Sequence, residues 1–511
     1  MGDLNDEASR EGTASVEPPP PASAPAASRR GMGTIAARGA AVSFSGQVMR
    51  IVIQMGGIAV MARLLSPTDY GLVAMVTVVV GLAEIFRDFG LSAAAIQSPT
   101  LTKAQRDNLF WANSALGASL YLLGVALSGV VASIFHEPAV APITQVLSVM
   151  FLLNGVATQY RASMSRAMRF GSIVVVDLSA QVIGLVLGIA MALAGAGYWS
   201  LVGMQLGQSA CALLGVILAS RWLPGWPRRH QPMSGFWRFG WNMVGTQLLG
   251  YVSNNADTFV IGRRLGPEPL GVYDRAYRLL VVPLAQIRTP TTTVALPVLS
   301  RLSDDKPTYA RFLTAGQIAL GYTVVAALAA AAGAADPLIR LFLGAQWSQS
   351  APIFALLAVG GALDTLAYVG YWVYLSRGLT HRLFQYTVLS AVVRVVAIVV
   401  GASWGVVGVA FGYAIARALL WPVSWLWLGA VTEIPLRTLL TGGVRLLAMA
   451  AGCGALSWSV VQLLAGWGPV VQLVAVGLVV VGYYALMGLL VPAIRRDERT
   501  LLEAARRLRA R

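Results

Sequence analysis

The chain has 511 residues, of which 57% are hydrophobic and only 12% are charged, and its formal net charge is +16. Soluble globular proteins carry about 25% charged residues, so the composition excludes a water-soluble body of this size. The basic residues lie between apolar runs rather than in one patch, and no nucleic-acid-binding signature is present, so we expect no nucleic-acid partner.

The N-terminal residues 1–40 are predicted to form a disordered cytoplasmic tail, because Ala, Ser, Pro and acidic residues dominate them. They lack the apolar segment of a signal peptide. Apolar runs of about 20 residues follow, which is the length that a helix needs to cross a bilayer. We predict an all-α polytopic membrane protein with about fourteen transmembrane helices. The runs lie near 42–64, 70–95, 109–134, 140–160, 171–194, 197–220, 237–262, 271–298, 311–333, 352–376, 382–401, 405–428, 438–464 and 468–493.

Lysine and arginine residues cluster on alternate connections between these runs. The N-terminal tail, the even-numbered connections and the C terminus are rich in them, whereas the connections at 136–138, 195–197 and 466–468 are poor in charge. Cytoplasmic loops of membrane proteins carry an excess of Lys and Arg. We therefore predict that both termini are cytoplasmic, and we count Arg161 with an inner connection.

A repeat relates the two halves of the chain. Residues 63–67 read Arg-Leu-Leu-Ser-Pro and lead to Gly71, whereas residues 263–267 read Arg-Arg-Leu-Gly-Pro and lead to Gly271, at a constant offset. Six predicted helices separate the copies, so both halves share one orientation, as in parallel-repeat transporters. The predicted units are a six-helix lobe at 41–220, a cytoplasmic linker at 221–236, a second six-helix lobe at 237–430, two additional helices at 431–493 and a basic cytoplasmic tail at 494–511.

Charged and amide side chains deep in the predicted helices are the candidate functional residues. A charge at the bilayer centre costs roughly 2.5–3.5 kcal/mol and is tolerated mainly where it faces a cavity or a partner. Asp177 and Arg445 lie near helix ends and are interpreted as snorkelling. The candidate substrate-binding residues are Arg50, Asn254, Asn255, Asp257, Arg275, Arg278, Asp364, Arg394 and Arg417.

Two interpretations of these residues remain open. Arginines such as Arg50, Arg394 and Arg417 could line a central cationic cavity, where the planar guanidinium binds phosphate oxygens in pairs. Alternatively, Asp257 or Asp364 pairs with an arginine and joins helices, or Asp257 carries a coupling ion, a proton or sodium. The amides beside Asp257 suit either sugar hydroxyls or hydrogen bonds between helices.

No catalytic, cofactor or metal site is predicted. Cys211 and Cys453 lie inside apolar runs, and the three histidines are scattered, so neither a disulfide framework nor a metal cluster is indicated. No nucleophile elbow, phosphate loop or metal-ligand spacing appears. We therefore expect that the protein is not an enzyme.

Residues 255–266 read Asn-Ala-Asp-Thr-Phe-Val-Ile-Gly-Arg-Arg-Leu-Gly. This segment resembles a signature of the Wzx-type polysaccharide flippases, especially their WzxC-like branch. The resemblance spans roughly 35–490. Further similar segments lie at 270–277, 283–287 and 297–302, and in the first half at 62–72 and 89–97.

The resemblance implies a member of the multidrug/oligosaccharidyl-lipid/polysaccharide exporter superfamily in a bacterial cytoplasmic membrane. Such proteins have two six-helix lobes around a central cavity and work by alternating access. The implied partners are membrane lipids, polysaccharide polymerase machinery and an undecaprenyl-pyrophosphate-linked oligosaccharide, which moves from the inner to the outer leaflet. The resemblance assigns no role to Asp257.

Two other functions remain as alternatives. A multidrug or cation antiporter of the same superfamily fits the helices but not the signature at 255–302. A membrane polysaccharide polymerase needs a substantial external loop with catalytic residues, and every predicted outer connection is short.

Overall fold

The computed structural model describes residues 47–88, 101–228 and 234–497. These residues form helices and short connections, without a β-strand among them, so the predicted all-α class is confirmed. The predictions for the tail at 1–40 and for the similar segment at 89–97 lie outside the described residues. Most of the basic tail at 494–511 lies outside them as well.

Fourteen long helices follow one another in the described part of the chain, and we number them in order. The first half contains α1 (Gln47–Leu64), α2 (Pro67–Asp88), α3 (Lys103–Phe135), α4 (Val140–Arg166), α5 (Phe170–Leu193) and α6 (Trp199–Ser220). The second half contains α7 (Ser234–Leu265), α8 (Pro267–Arg301), α9 (Lys306–Gly333), α10 (Ser350–Ser376), α11 (Thr380–Gly401) and α12 (Gly405–Val431), and α13 (Leu436–Leu463) and α14 (Pro469–Leu490) complete the chain.

Twelve helical stretches of the described residues are long and apolar enough to cross a membrane. One of these stretches, Thr380–Val431, covers both α11 and α12, and α7 is not among the twelve. The polar residues of α7 account for this, because they lower its hydropathy while packing against other helices. The count of fourteen spans and the cytoplasmic termini stay predictions.

The two copies of the repeat begin their second helices in related ways. Pro67 and Pro267 each occupy the first helical position of α2 and α8, where a missing N–H costs nothing. Ahead of α2, the Ser66 N–H donates to the Asp69 carboxylate at 2.9 Å, and the Asp69 N–H donates to Ser66 Oγ at 3.2 Å. This reciprocal cap fixes the start of α2. Ahead of α8, Gly266 makes the turn with φ of 90°, which favours glycine.

Helices α2 and α8 cross at the ends that the charge pattern puts outside, and the contact is reciprocal. A Cβ on Gly71 would lie 1.7 Å from the Pro267 carbonyl oxygen, and a Cβ on Gly271 would lie 1.8 Å from the Pro67 carbonyl oxygen. Only glycine permits this approach of two backbones. The repeat copies therefore meet each other across the approximate two-fold axis that a parallel repeat predicts.

The same end of the molecule is sealed by the connection between α9 and α10. Trp347 is fully buried, and its indole N–H donates to the Ala62 carbonyl at 2.8 Å. Gln346 donates to the same carbonyl at 2.6 Å. Met61 and Tyr70 are buried beneath this layer. The ends of α1, α2 and α8 that the charge pattern predicts to lie outside are therefore closed in this conformation, and we call this end the outer end.

Candidate functional site

A cavity of about 750 Å³ lies within the first half of the molecule, and one helix of the second half closes its side. Helices α1, α2, α4, α5 and α6 of the first half and α8 of the second half contribute its lining. On α1 the lining includes positions 47, 50, 54, 57 and 61, a spacing of three or four residues that defines one helix face. With a rise of about 1.5 Å per residue, this face is about 21 Å long. The cavity therefore extends through most of the bundle below the sealed outer end.

The first charged group in the cavity is a carboxylate shared by two arginines. Asp177 on α5 pairs with Arg50 on α1 at 2.9 Å and with Arg161 on α4 at 2.6 Å. The two arginine side chains remain 40% and 37% exposed, which leaves much of each guanidinium facing open space. One carboxylate neutralises only one of the two cations. This inner cluster therefore keeps a net charge of +1.

The second charged group repeats this arrangement on α8. Asp274 pairs with both Arg275 and Arg278, and the Arg278 Nε donates to its Oδ1 at 2.9 Å. The Arg275 guanidinium also lies 4.0 Å from the ring centroid of Tyr70, a cation–π contact with α2. Arg278 is 43% exposed. This outer cluster again holds two cations on one carboxylate.

The two clusters lie at different depths. Counting about 1.5 Å per residue from the sealed end, Asp274 is about 10 Å deep and Arg50 is about 21 Å deep. Among the lining residues, four arginines stand against two aspartates, so the cavity carries a net charge of +2. A cleft with apolar walls that is lined by charges of one sign focuses their field on a ligand. The arrangement is suited to an anionic group that carries two charges.

The remaining deep charges form a separate group among α7, α8, α10, α11 and α12. Arg394 is 3% exposed, lies 3.8 Å from the Asp257 carboxylate and donates to the Asn254 side chain at 2.9 Å. Asp257 also accepts a hydrogen bond from the Tyr273 hydroxyl at 2.8 Å. The buried Asp257–Arg394 ion pair has no net charge, and its contacts join α7, α8 and α11.

A third shared carboxylate lies in the same half. Asp364 on α10 pairs with Arg288 on α8 at 2.7 Å and with Arg417 on α12 at 2.6 Å. The three side chains are 18–20% exposed. None of the three lines the cavity described above.

The structure therefore divides the predicted site residues. Arg50, Arg275 and Arg278 line the cavity. The other six candidates belong to the group of contacts among helices of the second half and do not line the cavity. Asn255 donates to the Tyr251 carbonyl of its own helix at 2.9 Å. The remaining five are Asn254, Asp257, Asp364, Arg394 and Arg417.

Several cavity residues were not among the sequence candidates. Asp177 was interpreted as snorkelling, and Arg161 was counted with a loop, although α4 continues to Arg166 and keeps Arg161 within the helix. Asp274 was not among the candidates, although the neighbouring Arg275 and Arg278 were. The sequence did not single out the six glutamines that line the cavity, because amides spread over four helices have no distinctive spacing. Among the described residues there is no group of three or more His, Cys, Asp or Glu that could hold a metal ion.

Sequence comparison identifies relatives of this chain. A family model described as polysaccharide biosynthesis protein matches residues 60–352, more than half of the chain. The lipopolysaccharide biosynthesis protein WzxC of Escherichia coli is 24% identical over 382 residues, covering 72% of this chain and 76% of that protein. The teichuronic acid biosynthesis protein TuaB of Bacillus subtilis is 25% identical over 330 residues, covering 64% of this chain and 68% of that protein.

Solved structures share the fold. The lipid II flippase MurJ in an inward closed conformation superposes with a TM-score of 0.68 at 12% identity, covering 88% of this chain and 98% of that chain. A multidrug resistance MATE family transporter in an inward-facing conformation gives a TM-score of 0.54 at 14% identity, covering 80% and 98%. At these identities the likeness concerns the fold alone.

Proposed function

Since this chain belongs to the polysaccharide biosynthesis protein family, we propose that it is a flippase for a lipid-linked oligosaccharide. It is a multi-pass protein of a bacterial cytoplasmic membrane. The observation that carries the proposal is the cavity of the first half, closed on one side by α8 of the second half, with four arginines, two aspartates and a net charge of +2.

We propose an undecaprenyl-pyrophosphate-linked oligosaccharide as the substrate. A pyrophosphate that joins a lipid to a sugar carries two negative charges, which the cavity balances. The guanidinium group binds phosphate oxygens in pairs and gives up its hydration more readily than an ammonium. Arg50, Arg161 and Arg278 are the arginines that remain most exposed to the cavity. The lipid chain stays in the bilayer while the headgroup enters.

The proposed mechanism is alternating access between lobes at 41–220 and 237–430. In the present conformation the crossing of α2 and α8 closes the outer end. At the other end Gln47 of α1 donates a hydrogen bond to Gln286 of α8 and links the two halves. Substrate drives the change only through different affinities for the two conformations. A pyrophosphate that draws arginines from both halves supplies such a difference.

The buried group of the second half fits a structural role better than a phosphate clamp. Arg394 and Arg417 are each held by a carboxylate outside the cavity. The carboxylate of Asp257 is surrounded by donors from Tyr273, Thr258 and Arg394. We keep a coupling ion at Asp257 and a phosphate contact at Arg394 as predictions that apply if this half rearranges.

The test compares cavity arginines with a surface arginine. In a strain that lacks its own copy, Arg50→Ala/Arg278→Ala should reduce polymer export at least tenfold at matched protein levels. Hydrogen bonds to charged groups contribute about 1.5–3 kcal/mol each, and about 1.4 kcal/mol is tenfold. Arg340→Ala is the control, because this arginine is 56% exposed and pairs only on the surface. Undiminished export in the double variant would remove the proposal.

Two further assays separate the other functions. Drug resistance on expression, without any change in surface polysaccharide, would favour an antiporter. Polymer formation by the purified protein from lipid-linked units would favour a polymerase. Movement of a labelled lipid-linked sugar between the leaflets of proteoliposomes is the result that we expect instead.

A further inference from the structure

We propose that glutamine side chains of the cavity form a subsite for the neutral sugar residues next to the pyrophosphate. This inference rests on the proposed function and adds the part of the substrate that the arginines do not recognise. Six glutamines line the cavity: Gln47, Gln54, Gln181, Gln205, Gln208 and Gln286.

Four of these glutamines form a belt within the range of depths of the two charged clusters. Counting about 1.5 Å per residue from the sealed outer ends of their helices, Gln205 and Gln208 on α6 are about 9 and 14 Å deep. By the same count, Gln54 on α1 is about 15 Å deep and Gln181 on α5 is about 18 Å deep. The belt thus begins at the level of Asp274 and ends just above that of Arg50. A sugar that is joined to a pyrophosphate bound at either cluster therefore lies beside the belt.

Three of the belt amides are available to a ligand. Within the described residues, the side chains of Gln54, Gln205 and Gln208 make no hydrogen bond to the protein. Gln181 makes only a long one, to the Arg50 carbonyl at 3.4 Å. Buried amides that hold helices together are engaged with partners. The unpartnered amides of the belt therefore do not join helices by hydrogen bonds.

The chemistry of the belt matches a saccharide rather than a phosphate or a drug cation. Each amide presents two N–H donors and a carbonyl acceptor side by side. Neighbouring hydroxyls of a sugar ring need both kinds of partner at that spacing. An amide has no charge, so it adds little to phosphate binding. Ile53, Ile58 and Leu185 line the cavity at the same depths and offer apolar contacts to the C–H faces of a ring.

The experiment measures binding to the full-length protein in lipid nanodiscs with three probes. The methyl ester of farnesyl pyrophosphate carries the same two charges as the sugar-linked probes and reports on the arginines alone, and farnesyl-pyrophosphoryl-glucose and farnesyl-pyrophosphoryl-galactose add a hexose. We expect at least one hexose to tighten binding about tenfold, the sum of a few hydrogen bonds. The variant Gln54→Met/Gln205→Met/Gln208→Met should lose this increment and bind the methyl ester of farnesyl pyrophosphate as before. Gln462→Met, at an exposed position outside the cavity, is the control.

The outcomes separate the two proposals. The sugar subsite is wrong if neither hexose improves binding, or if the increment survives in the triple variant. The proposed function is contradicted if the methyl ester of farnesyl pyrophosphate binds equally well to Arg50→Ala/Arg278→Ala and to the unchanged protein, whatever the hexose does. A triple variant that fails to fold is replaced by Gln208→Met alone, for which a smaller loss confined to the hexose-bearing probes is expected.

Discussion

Replacing Gly71 by alanine should open the outer end of the cavity. The added Cβ would lie 1.7 Å from the Pro267 carbonyl oxygen, whereas ordinary contacts begin at 3.4 Å. The obstacle is backbone on both helices, so no side chain can turn aside. Restoring normal contact requires α2 and α8 to move apart by roughly 1.5–2 Å, much more than a packed core accommodates without cost.

The expected magnitude follows from the cost of overpacking. Overfilled contacts typically cost about 1–3 kcal/mol, and this cost applies only to the conformation in which α2 and α8 touch. A difference of about 1–3 kcal/mol shifts a two-state equilibrium roughly 5- to 150-fold. Gly271→Ala should act in the same direction, because its Cβ would lie 1.8 Å from the Pro67 carbonyl oxygen.

The assay measures access to the cavity from outside intact cells. Thr77, which lines the cavity, is replaced by cysteine after Cys211 and Cys453 are changed to serine. A membrane-impermeant maleimide should label Thr77→Cys at least fivefold faster when Gly71→Ala is present. Gly56→Ala is the matched control, since a Cβ there would meet nothing within 4 Å. Equal labelling of the Gly71 and Gly56 variants in folded protein would refute the role of the crossing.

Two other predictions concern stability and are measured by thermal unfolding of purified protein. Asp364→Asn leaves Arg288 and Arg417 without their shared carboxylate. We expect this change to lower the free energy of unfolding by about 3 kcal/mol. The control, Asp336→Asn in an exposed pair, should lower it by less than about 1 kcal/mol. An unfolding midpoint for Asp364→Asn no lower than that of the surface variant would contradict a structural role. Trp347→Ala removes a fully buried indole from the outer seal and should cost about 3–5 kcal/mol; an unchanged midpoint would mean that the seal contributes nothing to the fold.

Much of the architecture could be predicted from the sequence, because the bilayer constrains the order of apolar and charged segments along the chain. The bilayer demands apolar runs of fixed length, and the charge on the connections alternates with them. The constant offset between Gly71 and Gly271 identified two copies of one unit. The structure brings these same residues into reciprocal contact. The low hydropathy of α7 could also be predicted, because the sequence of this helix contains several amides and Asp257.

The site was only partly predictable, because depth in the membrane can be read from sequence but direction around the helix cannot. Arg50 and Arg394 both lie deep in predicted helices. The first faces the cavity, and the second is enclosed by Asp257 and Asn254. A charged residue near a predicted helix end is equally ambiguous. Asp177 was interpreted as snorkelling, yet it holds two arginines at the cavity wall.

The reciprocal crossing has a consequence for how such a molecule could arise. Gly71 faces Pro267, which is the counterpart of Pro67 in its own repeat unit. A single unit would therefore make the same contact with a second copy of itself. The chain retains, inside one polypeptide, an isologous interface of the kind that closes a two-fold homodimer. Divergence of the two units at this point is limited, because any side chain gained by one must fit against the backbone of the other.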